Sequence, residues 1–268
     1  MRNLLLACVV AIVIVCPCAN ARSSYTPSLG DMQLVAQLPA EAPQRILGLA
    51  YDGEKLWTSI YLSRGRYATL DPATLEWKLS NEENHHKAIS EVSGAFQAGG
   101  ALCFVNGKLW VAGFYGESLG SIDMTDWKVE HVFKGKQVEG RGSQSYSSMA
   151  YDGNNLWIAW HWFRYDLPTS QTQLLLKIDP ATGKVLAHYP LPRGTRADGT
   201  HALTFAASML WHAKDNQLSS IDPATGRVTG EYKLDQLKRP SGLAYDGSAL
   251  WIAEFDGKIW RLPLYAAR

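Results

Sequence analysis

The chain has 268 residues, a formal net charge of +1, and 46% hydrophobic and 11% aromatic residues. A near-neutral balance with no long basic or acidic run argues against nucleic acid or an anionic membrane surface as the main partner. The length is enough for one domain with a core that needs no disulfide staples.

The first residues read as a secretory signal. Arg2 gives a positive start, Leu4 to Val15 is an almost unbroken apolar run, and Ala19-Asn20-Ala21 is a small-x-small cleavage site. The run is too short for a stable transmembrane anchor. The expected layout is therefore a signal peptide over 1–21 and one domain over 22–268, in the periplasm or outside the cell. Cys8, Cys16 and Cys18 lie in the leader, which leaves Cys103 alone in the mature chain. Cys103 stands in a column otherwise held by Ala and Thr, so it reads as a small core residue and not as a nucleophile.

Internal repetition is the main signal. Leu-Trp recurs at Trp57, Trp110, Trp157, Trp211 and Trp251. Ahead of it stand Gly48-Leu49-Ala50-Tyr51, Ala101-Leu102-Cys103-Phe104, Ser148-Met149-Ala150-Tyr151, Ala202-Leu203-Thr204-Phe205 and Gly242-Leu243-Ala244-Tyr245. Each column keeps its chemistry: small, large apolar, small, aromatic. Such alternation has the period of a strand. Asp52-Gly53, Asp152-Gly153 and Asp246-Gly247 supply the positive φ of the turn that follows, and a second strand starts at the Trp.

A third strand and turn recur at Leu70-Asp71-Pro72, Ile122-Asp123-Met124, Ile178-Asp179-Pro180 and Ile221-Asp222-Pro223, with a fourth strand after each. Four antiparallel strands per repeat make a propeller blade. The reading is an all-β chain, a single β-propeller of five blades, with six as the alternative. The last repeat lacks a fourth strand, and Met32 to Leu38 is a spare strand of the right length. It is expected to pair with the final blade and close the ring. The extra length beyond minimal blades falls in Ser80 to Ala98 and Trp160 to Thr172.

The turns between strands one and two, and three and four, share one face and look stereotyped, so that face is expected to be bland. The opposite loop face diverges between repeats and opens on the central channel, the default ligand site. Column by column, His161, His201, His212, Lys214, Asp215 and Glu254 break the pattern near that end. Arg45, Arg64, Tyr115, Glu117 and Arg164 lie on neighbouring loops, and Trp160-His161-Trp162-Phe163 opens the long insert of the third blade, an aromatic platform if exposed and a blade cap if buried. Histidines beside a carboxylate suit acid–base work or a divalent cation. A wet loop face also collects polar residues with no chemistry attached. No pair of ligands has zinc spacing, so no metal or other cofactor is assigned. Glu82-Glu83-Asn84-His85-His86 reads as a solvated loop.

The segments Leu49-Ala50-Tyr51-Asp52-Gly53…Leu56-Trp57 and Ile178-Asp179-Pro180-Ala181-Thr182-Gly183 resemble those of secreted bacterial propellers: the glutamine cyclotransferase-like proteins, the streptogramin lyases and the NHL-type repeats. The resemblance implies the fold across nearly the whole mature chain. Where glutaminyl cyclases carry a Phe-Thr-Gln-Gly-Leu type of segment, this chain has Arg45-Ile46-Leu47-Gly48-Leu49, so no catalytic residue carries over by motif.

Two functions follow as expectations. One is an exported module that binds a small molecule, peptide or protein through its loop face and channel, using Arg45, Arg64, Tyr115, Glu117, Trp160, His161, Trp162, Arg164, Lys214 and Asp215. The alternative is a cyclotransferase-like or lyase-like enzyme in which Glu254 shuttles a proton and His212 or His201 orients the substrate.

Overall fold

The computed structural model describes residues 27–39, 45–60, 67–80, 82–93, 99–113, 118–134, 142–164, 171–192 and 200–265. Arg64, Tyr115, Glu117 and the leader 1–21 lie outside them. No helix among the described residues is long and apolar enough to cross a membrane.

Two short strands come first, β1 (Ser28–Leu29) and β2 (Gln33–Gln37). The first blade follows as β3 (Ala50–Tyr51), β4 (Leu56–Ser59), β5 (Tyr67–Leu70) and β6 (Trp77–Leu79), then the helix α1 (Glu83–Ser93). The second is β7 (Gly99–Val105), β8 (Lys108–Gly113), β9 (Ser118–Asp123) and β10 (Lys128–Lys134). The third is β11 (Gly142–Tyr151), β12 (Leu156–Arg164), β13 (Gln171–Ile178) and β14 (Val185–Pro190). The fourth is β15 (Ala202–Ala206), β16 (Met209–Lys214), β17 (Gln217–Ile221) and β18 (Val228–Lys233). The last contributes β19 (Pro240–Tyr245), β20 (Ala249–Glu254) and β21 (Lys258–Tyr265).

Each blade is a sheet of consecutive antiparallel strands, and the protein is a five-bladed β-propeller. The fifth blade is completed from the other end of the chain. Strand β2 pairs with β21 from Gln33 opposite Arg261 to Gln37 opposite Lys258, as the spare strand in the sequence predicts. Strand β1 extends the same partner at Leu264 and Tyr265. Pairing removes the open edge that β21 would otherwise present.

Burial follows position in the blade. Second strands such as β20 are buried throughout, whereas fourth strands such as β14 and β18 expose alternate residues. At the axis, first strands approach so closely that only small residues fit. A Cβ on Gly242 would meet the backbone nitrogen of Leu49 at 2.5 Å, and one on Gly48 would meet the carbonyl oxygen of Gly100 at 3.2 Å.

Between blades, an aromatic residue of the fourth strand acts as a plug. Phe133, Tyr189 and Tyr232 lie against the Trp of their own blades at ring centroid distances of 6.2, 6.0 and 5.8 Å. For Phe133 and Tyr189 the turn of the following blade covers the plug with a glycine. A Cβ on Gly183 would lie 2.4 Å from Phe133, and one on Gly226 would lie 2.1 Å from Tyr189. Both glycines also have left-handed backbones, φ 69° and 68°.

The Asp of each Asp-Gly turn ties turn to core. Asp152 accepts hydrogen bonds from the backbone N–H of Asn154 and Asn155 and from the Trp157 indole at 2.7 Å. Asp52 with Trp57 and Asp246 with Trp251 repeat the arrangement at 2.5 and 2.7 Å. Burial works to raise the carboxyl pKa of Asp152 and Asp246, but these donors outweigh it and the net shift is downward.

The described parts of the two long inserts are helix and strand, not plain loop. Residues 83–93 form α1, whose Ala88, Ile89 and Val92 are buried against the second blade. The Glu82–His86 segment is therefore the start of a helix, because an apolar stripe downstream supplies a face to bury. Trp160-His161-Trp162-Phe163 continues β12 as strand, paired with β11 and β13 up to Arg164 opposite Gly142.

Candidate functional site

The channel has two unlike ends. At the turn face the Tyr and Phe columns of the first strands surround a space of about 140 Å³, lined by Tyr51, Phe104, Tyr151, Phe205 and Tyr245. Cys103 also lines it. Desolvation pushes its thiol up to about 12, so it stays protonated and inert, in keeping with a small core residue.

The other end is polar. Ser147, His161, His201, His212, Lys214, Ser241 and Glu254 are all buried there or on the adjoining strand ends. Local backbone explains part of this. Gly100, Ser147 and Ser241 each sit where the ladder between first and second strands slips by one residue. Such bulges leave a carbonyl without its ladder partner. The Ser147 hydroxyl donates to Ala159 O at 3.1 Å, and the Ser241 hydroxyl donates to Ala253 O at 3.4 Å.

In the fourth blade the ladder is regular, and the same column holds His201. His212 is opposite Leu203 on the next strand, which brings the two imidazoles together. Their Nδ1 and Nε2 atoms share a hydrogen bond of 2.8 Å, with ring centroids 5.1 Å apart. His161 lies 6.2 Å from His201 between ring centroids. The Lys214 ammonium donates to Thr200 O at 3.0 Å.

Desolvation, then the charge of Lys214, depresses the His212 pKa to about 3. Desolvation first, then His212, Lys214 and His161, holds His201 well below its ordinary value. Both imidazoles are therefore neutral at pH 7. The Nε2 atom of His201 is buried and has no hydrogen-bond partner among the described residues. A buried polar atom left so calls for an explanation, since desolvation without a partner costs about 1–3 kcal/mol.

The remaining sequence candidates divide. Glu254 is 2% exposed and both of its oxygens are engaged. One accepts the backbone N–H of Lys238 at 2.6 Å and of Arg239 at 3.1 Å; the other accepts the Trp260 indole at 2.7 Å. The carboxylate thus pins the segment entering the fifth blade to the third strand of that blade. Asp215 occupies the left-handed position, φ 53°, of the tight turn from β16 to β17. Arg45 is exposed and its guanidinium lies 5.5 Å from the Phe255 ring centroid, with that of Arg239 at 3.8 Å. Trp160 is half-buried on β12, while the side chains of Trp162 and Arg164 lie outside the description.

Among the described residues no group of three or more His, Cys, Asp or Glu side chains could hold a metal ion. A cleft of about 490 Å³ lies along the seam between the first and second blades, walled by Trp57, Tyr67, Phe104 and Trp127; it runs from the turn residues Asp52, Glu54 and Lys55 to Ser80 and His85 beyond the end of β6, so the turn face is not wholly bland. Column breaks at Ser80 and Trp127 are its sequence signal, and both lie beyond the aligned turn segments, which end at Pro72 and Met124.

No family model matches the chain, and no curated protein matches it. Solved structures do. The glutaminyl cyclase of Myxococcus xanthus superposes with a TM-score of 0.56 at 13% identity, covering 88% of this chain and 97% of that one. The virginiamycin B lyase of Staphylococcus aureus superposes with a TM-score of 0.51 at 14% identity, covering 87% and 99%. At such identities the likeness is one of fold, and fold does not carry function with it.

Proposed function

We propose that this propeller is an exported ligand-binding module, which reads a small polar molecule or the tip of a peptide or protein at the loop-side end of its channel. The observation that carries the reading is the buried His201–His212 pair, with Nε2 of His201 unpartnered among the described residues. A neutral imidazole offers one donor and one acceptor. A ligand hydroxyl, amide or carboxylate reaching His201 would supply the missing bond, with the Lys214 ammonium close behind. Deep binding of this kind needs no residue that changes charge.

The enzyme alternative draws on the solved neighbours, which are a cyclase and a lyase by name. It fits the site less well. General acid–base catalysis is most effective when the group's pKa lies near the working pH. His212 at about 3 is far from that condition. Glu254 already accepts three hydrogen bonds.

The test has two arms on the purified mature protein. Thermal shift against amino acids, small carboxylic acids and dipeptides should show at least one stabilising ligand, lost in His201→Phe. A peptide with N-terminal Gln, followed by mass spectrometry, should show no loss of ammonia above the uncatalysed rate. Ammonia loss abolished by Glu254→Gln would replace binding by catalysis.

A further inference from the structure

The seam between the first and second blades inverts the arrangement of the two seams that follow it. There the fourth strand brings an aromatic plug and the next turn brings a glycine, Phe133 with Gly183 and Tyr189 with Gly226, while the same turn position of the first blade holds Leu75, φ 61°. The plugs Phe133, Tyr189 and Tyr232 pair with Leu119, Leu175 and Leu218. In the first blade the Leu column holds Tyr67, and opposite it, where the plug belongs, stands Ser80, whose N–H donates to Tyr67 O at 3.0 Å. In the second blade the turn position of Gly183 and Gly226 is held by Trp127, with φ 57°.

An indole on a left-handed backbone is strained, and such strain persists where the surroundings impose it and clusters at functional sites. The plug's absence leaves room for it. Trp127 stacks on His85 at 3.6 Å and on Tyr67 at 5.3 Å, and Tyr67 stacks on Trp57 at 4.9 Å. The rings do not refill the seam. Trp57 is half-buried, whereas Trp110, Trp157, Trp211 and Trp251 are at most 4% exposed. The cleft of about 490 Å³ has the size of a small-molecule site.

Its walls are held in place from behind. Asp52 fixes the Trp57 indole, and the Tyr67 hydroxyl bonds Nδ1 of His85 at 2.5 Å. Asp52 is committed to that indole and to two backbone N–H groups, so it has little to offer a ligand. Glu54, Lys55 and Lys78 stand at the rim, with Glu82, whose Oε2 lies 3.3 Å from His85 Nε2. Two carboxylates and two ammoniums cancel, so the rim has no net pull on an ion of either sign. Together they offer both acceptors and donors to a neutral molecule with many hydroxyls.

We propose that this cleft binds a neutral sugar: the apolar C–H face of a pyranose ring lies on the exposed aromatic surface, and its hydroxyls bond Glu54, Glu82, Lys55 and Lys78. It is a second site, independent of the channel.

The test uses the whole mature chain, with glucose, N-acetylglucosamine and their β-1,4-linked disaccharides as probes. Binding is followed by saturation-transfer NMR and by tryptophan fluorescence. At least one probe should bind saturably. Trp127→Gly installs the residue that the third and fourth blades carry at this turn position, so circular dichroism should keep the strand signal, while affinity falls about tenfold or more through loss of a stacking wall. Ser80→Tyr with Trp127→Gly rebuilds the plug and should abolish binding. His201→Phe should leave sugar binding unchanged, which separates this site from the channel. No saturable binding by any probe overturns the proposal. So does binding indifferent to both cleft variants, or binding of tetramethylammonium in place of sugar.

Discussion

Two imidazoles buried in contact make the polar end of the channel sensitive to acid. Both have pKa values below the ordinary one, so below about pH 6.5 the unfolded chain takes up protons that the native chain refuses. The stability this neutral pair contributes is fully present above that pH and is lost as pH falls toward the His212 value of about 3. The slope is about 1.4 kcal/mol per pH unit for each imidazole. Urea unfolding between pH 7 and pH 5 should show it, and His201→Gln with His212→Gln should flatten the curve. A curve unchanged by that double substitution would contradict the neutral pair. The meeting of these residues was legible in the sequence, because both break their columns on neighbouring strands. The role of Glu254 was not. Its partners are backbone N–H groups from the segment before β19 and an indole on β21, and no local pattern announces them.

At the scale of elements, turn chemistry carries most of the regularity. The first, third and fifth blades use Asp-Gly turns with glycine φ of 108°, 95° and 95°. The second uses Asn106-Gly107, left-handed at both positions, φ 51° and 80°. The fourth puts Ala207 and Ser208 through the same path, at φ 49° and 62°. A side chain on a left-handed backbone costs about 1–2 kcal/mol. Ser208→Gly should therefore raise stability by about 0.5–1 kcal/mol after the entropy cost of glycine is met. Chemical denaturation would measure it, and a fall in midpoint would show that the Ser208 side chain has a role of its own. Element type was readable where the period is clear. It was not readable in Ser80 to Ala98, where the apolar stripe of α1 is confined to Ala88, Ile89 and Val92 and makes sense only against the second blade. Nor was it in Trp160 to Arg164, where a strand runs past the point at which its sisters stop.

The whole molecule is a ring that depends on β2 for its closure. Leu38 is 1% exposed, and its N–H donates to Gly257 O at 2.9 Å, locking the end of β2 to the fifth blade. A chain lacking residues 1–38 should lose cooperative unfolding and aggregate through the bare β21 edge, as size-exclusion chromatography and a melting curve would show. Retained cooperativity would mean that the ring closes by other contacts. Closure was legible because the repeat count left one blade a strand short and one strand without a blade. The ring in turn sets the contrast between channel ends, aromatic at the turn face and polar at the loop face. The proposed binding role rests on the polar end, where neutral imidazoles would recognise a ligand without trading protons with it. A pH titration of His201 and His212 by nitrogen-detected imidazole NMR on the full mature chain tests this. Both should remain neutral from pH 8 to pH 5. Protonation of either with a midpoint between pH 6 and 7 would contradict it and restore acid–base catalysis at this site.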